Sequence, residues 1–325
     1  MTKVLYIGGS GEISTACVAH SLFLGHDVSV FNRGNHPIED VRSFKGSVYE
    51  SRPYQALANE SFDVVCQFLA FDTKTVEEDA RFFSSRCRQY VFISTASAYE
   101  KPCKSQVITE QTPLSNPHWE YSRKKIACEA VLMRQAQLPY TIVRPSHTYR
   151  SRLPGAVIDG NHQTWRLING KPVIVHDDGQ SLWTLTHAED FARALCCLFL
   201  NDQALGKAFH ITDDQAHTWN KLIISSAKVL GVEAEIVHVS SERLVHYEPQ
   251  WQGPLLGDKS NSMIFDNQYL KQVIGDWQCE VAFEFGLQQT ATMVLDRLAA
   301  GYEPDKSLDA LVDRIIEENT SQGCS

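Results

Sequence analysis

The chain has 325 residues, 43% of them hydrophobic, and a formal charge of −9 at neutral pH. That length admits one large domain or two smaller ones with a full core. The acidic balance weighs against nonspecific nucleic-acid binding, which uses a basic face, and the lack of a run of about 18 apolar residues excludes a helical membrane span.

The opening Met1-Thr2-Lys3-Val4-Leu5-Tyr6-Ile7-Gly8-Gly9 passes directly into a strand and glycines, so no secretory leader is expected. The nine cysteines include no Cys-x-x-Cys pair, and Cys196-Cys197 sit in an apolar stretch. This fits a reduced, cytoplasmic protein with buried thiols and no metal site. Val4–Ile7 reads as the first strand, and Gly8-Gly9-Ser10-Gly11-Glu12-Ile13-Ser14 as a tight turn. A helical pattern runs from there through Leu24, and Val28–Phe31 is the second strand. Strand, glycine turn, helix and strand form the opening of a dinucleotide-binding fold. A side chain at Gly8 or Gly11 would hold the backbone away from a pyrophosphate, which the helix N-terminus faces. Ser14 stands at the position of a third glycine and is small enough for close helix–strand packing.

The alternation continues with a strand over Phe62–Leu69, a helix over Thr75–Ser84, a strand over Tyr90–Ser94, a helix from Tyr121 to Gln137 and a strand over Tyr140–Val143. This spacing predicts a parallel sheet with right-handed crossovers. After Arg144-Pro145 the regularity falls away around Pro154, Gly155, Gly160, Gly170 and Pro172. Phe191–Leu200 then reads as a helix, and Ala208–Thr212 as a strand returning to the sheet. An amphipathic helix from about Ser307 ends in a frayed Ser321-Gln322-Gly323-Cys324-Ser325. The expected fold is a Rossmann-type doubly wound parallel sheet. Residues 1–149 form the dinucleotide-binding domain, the segment near 186–212 returns to it, and 150–325 form mainly a smaller C-terminal substrate-binding lobe.

Tyr121 and Lys125 are four apart, which places both on one helix face. A phenol with a pKa of about 10 is a poor base at neutral pH, and an ammonium beside it favours the phenolate. Such a pair can move a proton on and off a substrate hydroxyl. Tyr302 and Lys306 share the spacing, but Pro304 between them breaks a continuous helix face.

The glycine turn, the strand end Val91-Phe92-Ile93-Ser94-Thr95 and Tyr121-Ser122-Arg123-Lys124-Lys125 together resemble the extended, atypical short-chain dehydrogenases/reductases of the NAD-dependent epimerase/dehydratase family. Thr95-Ala96-Ser97-Ala98-Tyr99, Ile142-Val143-Arg144-Pro145-Ser146-His147-Thr148-Tyr149, and Asp178-Gly179 with Thr186-His187-Ala188-Glu189-Asp190 match further segments of that family. The resemblance implies a catalytic set of Thr95, Tyr121 and Lys125, with Tyr121 as acid/base. Lys125 would hold the cofactor ribose and depress the tyrosine pKa. It further implies cofactor contacts from Gly8, Gly11, Glu12, Ile13, Asn32, Arg33, Leu69, Ala70, Lys125 and Arg144. Substrate contacts would come from Ser97, His147, Tyr149 and Trp183. His187 is read as structural, hydrogen-bonded at a helix start.

Three positions depart from the family pattern. Asn32-Arg33 stand where many NAD-using relatives carry an aspartate, so NADP is favoured over NAD. Ala96 and Ser97 replace the Asp-Glu pair of dehydratases, so reversible oxidation without loss of water is expected. Trp183 occupies the place of an arginine that contacts the nucleotide phosphate, which leaves room for a simpler sugar. The implied activity is an NAD(P)-dependent oxidoreductase or epimerase working on a hydroxyl of a sugar, nucleotide sugar or sugar-like alcohol. The alternative is a non-catalytic NAD(P)-binding regulatory or RNA-associated protein of the same fold. The expected partner is a sugar-derived small molecule, with a homodimer as the candidate assembly and neither nucleic acid nor membrane.

Overall fold

Val4, Leu5, Tyr6 and Ile7 are all fully buried, so the first strand is covered on both faces, as strands are in a parallel sheet between helix layers. The computed structural model describes residues 1–35, 38, 40–135 and 137–320. The tail 321–325, read above as frayed, lies outside the described residues.

The first half runs β1 (Lys3–Ile7), α1 (Glu12–Phe23), β2 (Asp27–Asn32), β3 (Arg42–Lys45), β4 (Phe62–Gln67), α2 (Thr73–Phe83), β5 (Cys87–Ile93), α3 (Glu120–Leu132) and β6 (Tyr140–Pro145). The second half begins with β7 (His147–Tyr149), α4 (Gly160–Ile168), β8 (Val173–His176), β9 (Leu182–Trp183), β10 (Leu185–His187), α5 (Ala188–Cys197) and β11 (Lys207–Ile211). It ends with β12 (His217–Thr218), α6 (Trp219–Val229), β13 (Ile236–Val239), α7 (Ser241–Tyr247), α8 (Gln252–Pro254), a π-helical turn (Leu255–Lys259), α9 (Gln268–Ile274), α10 (Phe283–Ala299) and α11 (Lys306–Thr320).

The central sheet has seven parallel strands in the order β11-β6-β5-β4-β1-β2-β3. The order reverses beside β1, where such sheets open a crevice at their carboxyl ends. One face packs with residues of α1 and α5, including Cys17, Val18, Phe191 and Leu195. The other packs with α2 and α3 through Val76, Phe83, Cys128 and Leu132. The sequence pattern did not mark β3, a short edge strand with mostly exposed side chains, which is how sheet edges are blunted. The helix expected to reach Gln137 ends at Leu132.

A third core joins α4, α6, α10 and α11 around the parallel pair β8–β13, and closes over the carboxyl ends of the sheet strands. Arg166 and Lys171 each bind both Asp309 and Asp313, which ties α11 to this lobe. Among the described residues no helix is long and apolar enough to cross a membrane, and the described cysteines are all free.

Candidate active site

The turn after β1 is built for close approach of a ligand. Gly8 has φ +89°, and a Cβ there would lie 2.6 Å from Leu69 Cγ. The serine at the third glycine position closes the turn: Ser14 Oγ accepts from Gly11 N at 2.8 Å and donates to Gly8 O at 2.6 Å. A cavity of about 320 Å³ opens beside this turn, lined by Gly8, Gly11, Asn32, Arg33, Tyr49, Leu69 and Phe71 among others. Asn32 Oδ1 accepts from Gly34 N at 2.8 Å, which leaves Arg33 as the cation at the rim. The glycine cradle, the N-terminus of α1 and this cavity fit a dinucleotide.

Not every residue assigned to that ligand faces it. The Glu12 carboxylate turns away and accepts from the Ser151 hydroxyl at 2.5 Å and from its backbone N–H. Ile13 packs into the core under the sheet. Arg144 is buried on β6, bound through Nε to Glu129 Oε1 at 3.0 Å and through Nη2 to Oε2 at 2.6 Å, with Tyr99 Oη at 3.2 Å. It lines neither this cavity nor its neighbour. The side chains of Glu12, Ile13 and Arg144 are thus each engaged within the chain, while the backbone N–H groups of Glu12 and Ile13 open the first turn of α1 beside the glycines.

At the end of β5, Thr95 caps a short 3-10 turn (Ala96–Ala98) by accepting from Ser97 N at 3.2 Å. Its hydroxyl also bonds the Ser97 hydroxyl at 3.0 Å, and Thr95 and Tyr121 line one cavity. Ser97 Oγ in turn meets Ser122 Oγ at 2.7 Å, so the first turn of α3 is locked to the strand end. Lys125, one helical turn beyond Tyr121, is buried and donates to Ala70 O at 2.9 Å and Ile93 O at 2.7 Å. Its ammonium lies 4.5 Å from the Phe71 ring centre and 4.8 Å from that of Phe92. Burial pulls its pKa down to about 8. The expected depression of the Tyr121 pKa is not present in the chain by itself. Burial raises that pKa above its ordinary value, against a smaller lowering effect of the nearby Thr95 hydroxyl.

On the other side of Tyr121 lies a second cavity of about 330 Å³, lined by Thr95, Ser97, Trp119, Tyr121, His147, Trp183, Asp258 and Lys259 with four further residues. Phe71 and Tyr121 stand 6.2 Å apart, so the two cavities are neighbours. Burial lowers the His147 pKa to about 3, which keeps the ring neutral. Its Nδ1 accepts from Trp183 Nε1 at 3.1 Å, which places the ring proton on Nε2. Trp183 leans on Trp219 at 5.2 Å, and Trp119 on Tyr121 at 5.0 Å. Tyr149, assigned to substrate, is buried instead against His187 at 5.2 Å and Gly286, where a Cβ would lie 2.3 Å from its hydroxyl. His187 caps α5 by accepting from Glu189 N at 3.4 Å.

Sequence reasoning missed Trp119, Asp258 and Lys259. Asp258 and Lys259 end the π-helical turn, and such turns recur at functional sites. Burial pushes the Asp258 carboxyl up to about 6 and the Lys259 ammonium down to about 8. The only local signal was the cluster Gly253-Pro254 and Gly257-Asp258-Lys259. Gly253 and Gly257 let this segment press on Trp119, whose atoms a Cβ would meet at 2.2 and 3.0 Å.

A doubly wound sheet, a glycine cradle and a Thr-Tyr-Lys set at adjoining cavities define a dinucleotide-binding chain of the short-chain dehydrogenase/reductase type. The NAD dependent epimerase/dehydratase family model matches residues 4–212, and the chain belongs to that family. It is 28% identical over 311 residues to 2'-dehydrokanamycin reductase of Streptomyces kanamyceticus, covering 93% of this chain and 80% of the relative. It is 25% identical over 257 residues to the chloroplast stem-loop binding protein of 41 kDa b of Arabidopsis thaliana, covering 73% and 65%. Its fold matches the structure of epimerase Mth375 of Methanothermobacter thermautotrophicus with a TM-score of 0.77, 16% identity, and coverage of 92% and 94%.

Proposed function

We propose that the chain is an NAD(P)-dependent oxidoreductase acting on a hydroxyl, or the corresponding ketone, of a sugar, nucleotide sugar or sugar-like alcohol. The observation that carries this reading is the Tyr121 phenol lining, together with Thr95, the wall of a cavity next to the glycine cradle. When bound, the dinucleotide supplies the hydride acceptor or donor. Gly8, Gly11 and Leu69 shape its cradle. Lys125, bonded to the carbonyls after β4 and at the end of β5, fixes α3 so that Tyr121 faces the substrate cavity. Thr95 orients the substrate oxygen and Tyr121 moves its proton. As an acid Tyr121 protonates the oxygen of a ketone during its reduction, and as a base it takes the same proton back during oxidation; reduction is the direction proposed. The similarity to a reductase agrees with this direction.

NADP is the proposed cofactor. Arg33 lines the cradle, and among the described residues no carboxylate does. The test of function is NADPH and NADH oxidation against a panel of keto sugars and their nucleotide conjugates. Tyr121→Phe should lose about 10²–10⁴-fold in rate and keep its cofactor affinity within about threefold. A Phe variant with more than a tenth of the wild-type rate would remove Tyr121 from this role. A second reading, RNA association without catalysis, is favoured by the similarity to a stem-loop binding protein. Its mark would be salt-dependent RNA binding together with no turnover of any ketone.

A further inference from the structure

A carboxyl group shares the cavity of Tyr121 although the positions after Thr95 carry none. Asp258 comes from the C-terminal lobe, on a π-helical turn that Ser181, Asn261 and Lys259 tie to its surroundings and that Asn116 ties to the sheet. Asn116 Nδ2 donates to Ser97 O at 2.8 Å and to Gly257 O at 2.7 Å, so a single amide clips the turn to the strand end that carries Thr95. Asn116 Oδ1 accepts from Trp119 N at 3.1 Å, just ahead of Tyr121. The same residue thereby fixes the positions of Thr95, Tyr121 and Asp258 relative to one another.

Among the described residues the Asp258 carboxylate accepts no hydrogen bond and has no ion-pair partner. Three buried acids among the described residues are tied instead: Asp79 to two tyrosines and a glutamine, Glu129 to Arg144, Asp190 to the amides of Glu280 and Val281. A carboxylate lining a cavity with its lone pairs free is held for something that enters.

Resting on the reading of this cavity as the substrate site, we propose that Asp258 is a second acid/base, which exchanges a proton at the carbon next to the substrate ketone. The step is balanced within the chain and the ketone. The C–H bond of the α-carbon breaks and its proton goes to an Asp258 oxygen. The electron pair moves into the new C=C bond, and the carbonyl oxygen takes the charge under the hydroxyls of Thr95 and Tyr121. Return of a proton from Asp258 to the face it left restores the ketone with its configuration kept. Where the next carbon bears a hydroxyl, the same electron pair expels it, Asp258 protonates it, and water leaves. The absence of carboxyls at Ala96 and Ser97 therefore does not bar elimination, because the acid arrives from the other lobe.

The groups facing Asp258 set its protonation. Burial raises its pKa to about 6, while Lys101 and Lys259 pull it down; neutral His147, the Tyr121 phenol and the Cys103 thiol complete its titratable neighbours. A carboxyl near 6 is suited to both taking and giving a proton at neutral pH.

The test uses the full chain in D₂O with two ketone probes, 2-keto-myo-inositol and UDP-4-keto-6-deoxyglucose, read by NMR for deuterium at the α-carbons. No hydride step is needed. Wild-type chain should exchange, Asp258→Asn should lose about a hundredfold or more, and Asp258→Glu should recover part of the loss. The wild-type rate should fall with acid below pH about 6. Lack of exchange in the wild type, exchange undiminished in Asp258→Asn, or a flat rate from pH 5 to 7.5 overturns the proposal; the pH profile decides the matter even if the Asn variant does not fold. The same probes with NADPH separate the two readings. Reduction without exchange leaves the hydride reading standing and overturns the role of Asp258. Exchange without reduction does the reverse.

Discussion

Replacing Arg144 by methionine tests whether this residue serves the fold or the cofactor. Its guanidinium and the Glu129 carboxylate are both buried, with side-chain exposures of 3% and 1%, and they make two parallel hydrogen bonds. In Arg144→Met the Glu129 carboxylate keeps only the Ser94 hydroxyl, which bonds Oε1 at 2.5 Å, while Oε2 loses its partner. Breaking one side of a buried pair costs about 3–5 kcal/mol. In the double variant Arg144→Met/Glu129→Leu both charges are gone. Tyr99 retains His210 Nδ1 at 3.1 Å, and only Ser94 is orphaned. The double variant should then cost about 1–3 kcal/mol, the penalty for one unsatisfied buried hydroxyl, and be more stable than the single. Urea unfolding followed by tryptophan fluorescence measures both, and fluorescence titration with NADPH measures cofactor affinity. A single variant of unchanged stability that binds cofactor tenfold more weakly would refute the structural role and return Arg144 to the ligand.

Other expectations follow from the same geometry. Arg33→Ala should weaken NADP by about ten- to a hundredfold, the loss of one charge-assisted contact worth about 1.5–3 kcal/mol, and leave NAD nearly unchanged; equal calorimetric affinities of the wild type for the two cofactors would dismiss the role of Arg33. Lys125→Ala should damage both turnover and cofactor affinity, since it removes the bonds to Ala70 O and Ile93 O; a variant affected in turnover alone would contradict that placement. Asp79 is a pH reporter. Burial raises its carboxyl from 3.8 to about 6, so the folded chain binds the extra proton between those values. Stability from that proton is present at low pH and lost as pH rises through about 6. The unfolding free energy of the wild type, relative to Asp79→Asn, should therefore fall between pH 4 and 7; a difference that stays constant or grows would show that the three donors on Asp79 outweigh its burial.

The sequence by itself carried the features that depend on neighbours along the chain. The apolar run of β1, the glycines after it and the helical pattern of α1 are local, and together they mark the cradle, because only a residue without Cβ allows the contact between Gly8 and Leu69. Tyr121 and Lys125 share a helix face by spacing alone, and the alternation of strands and helices dictates a parallel sheet. Where a side chain finds its partner is a different question. Strand periodicity cannot say that Arg144 meets Glu129 on α3, or that Glu12 at the start of α1 is taken by Ser151, because those partners arrive through the crossovers of the fold. The direction of the Tyr121 pKa shift also escaped the sequence. An adjacent lysine argues for lowering, but the depth of burial and the carbonyls that hold that lysine are set by packing. Asp258 lies on a segment with no periodicity. It faces Tyr121 only because the C-terminal lobe closes over the carboxyl ends of the sheet and Asn116 fastens it there, a contact between distant parts of the chain that tertiary structure alone decides.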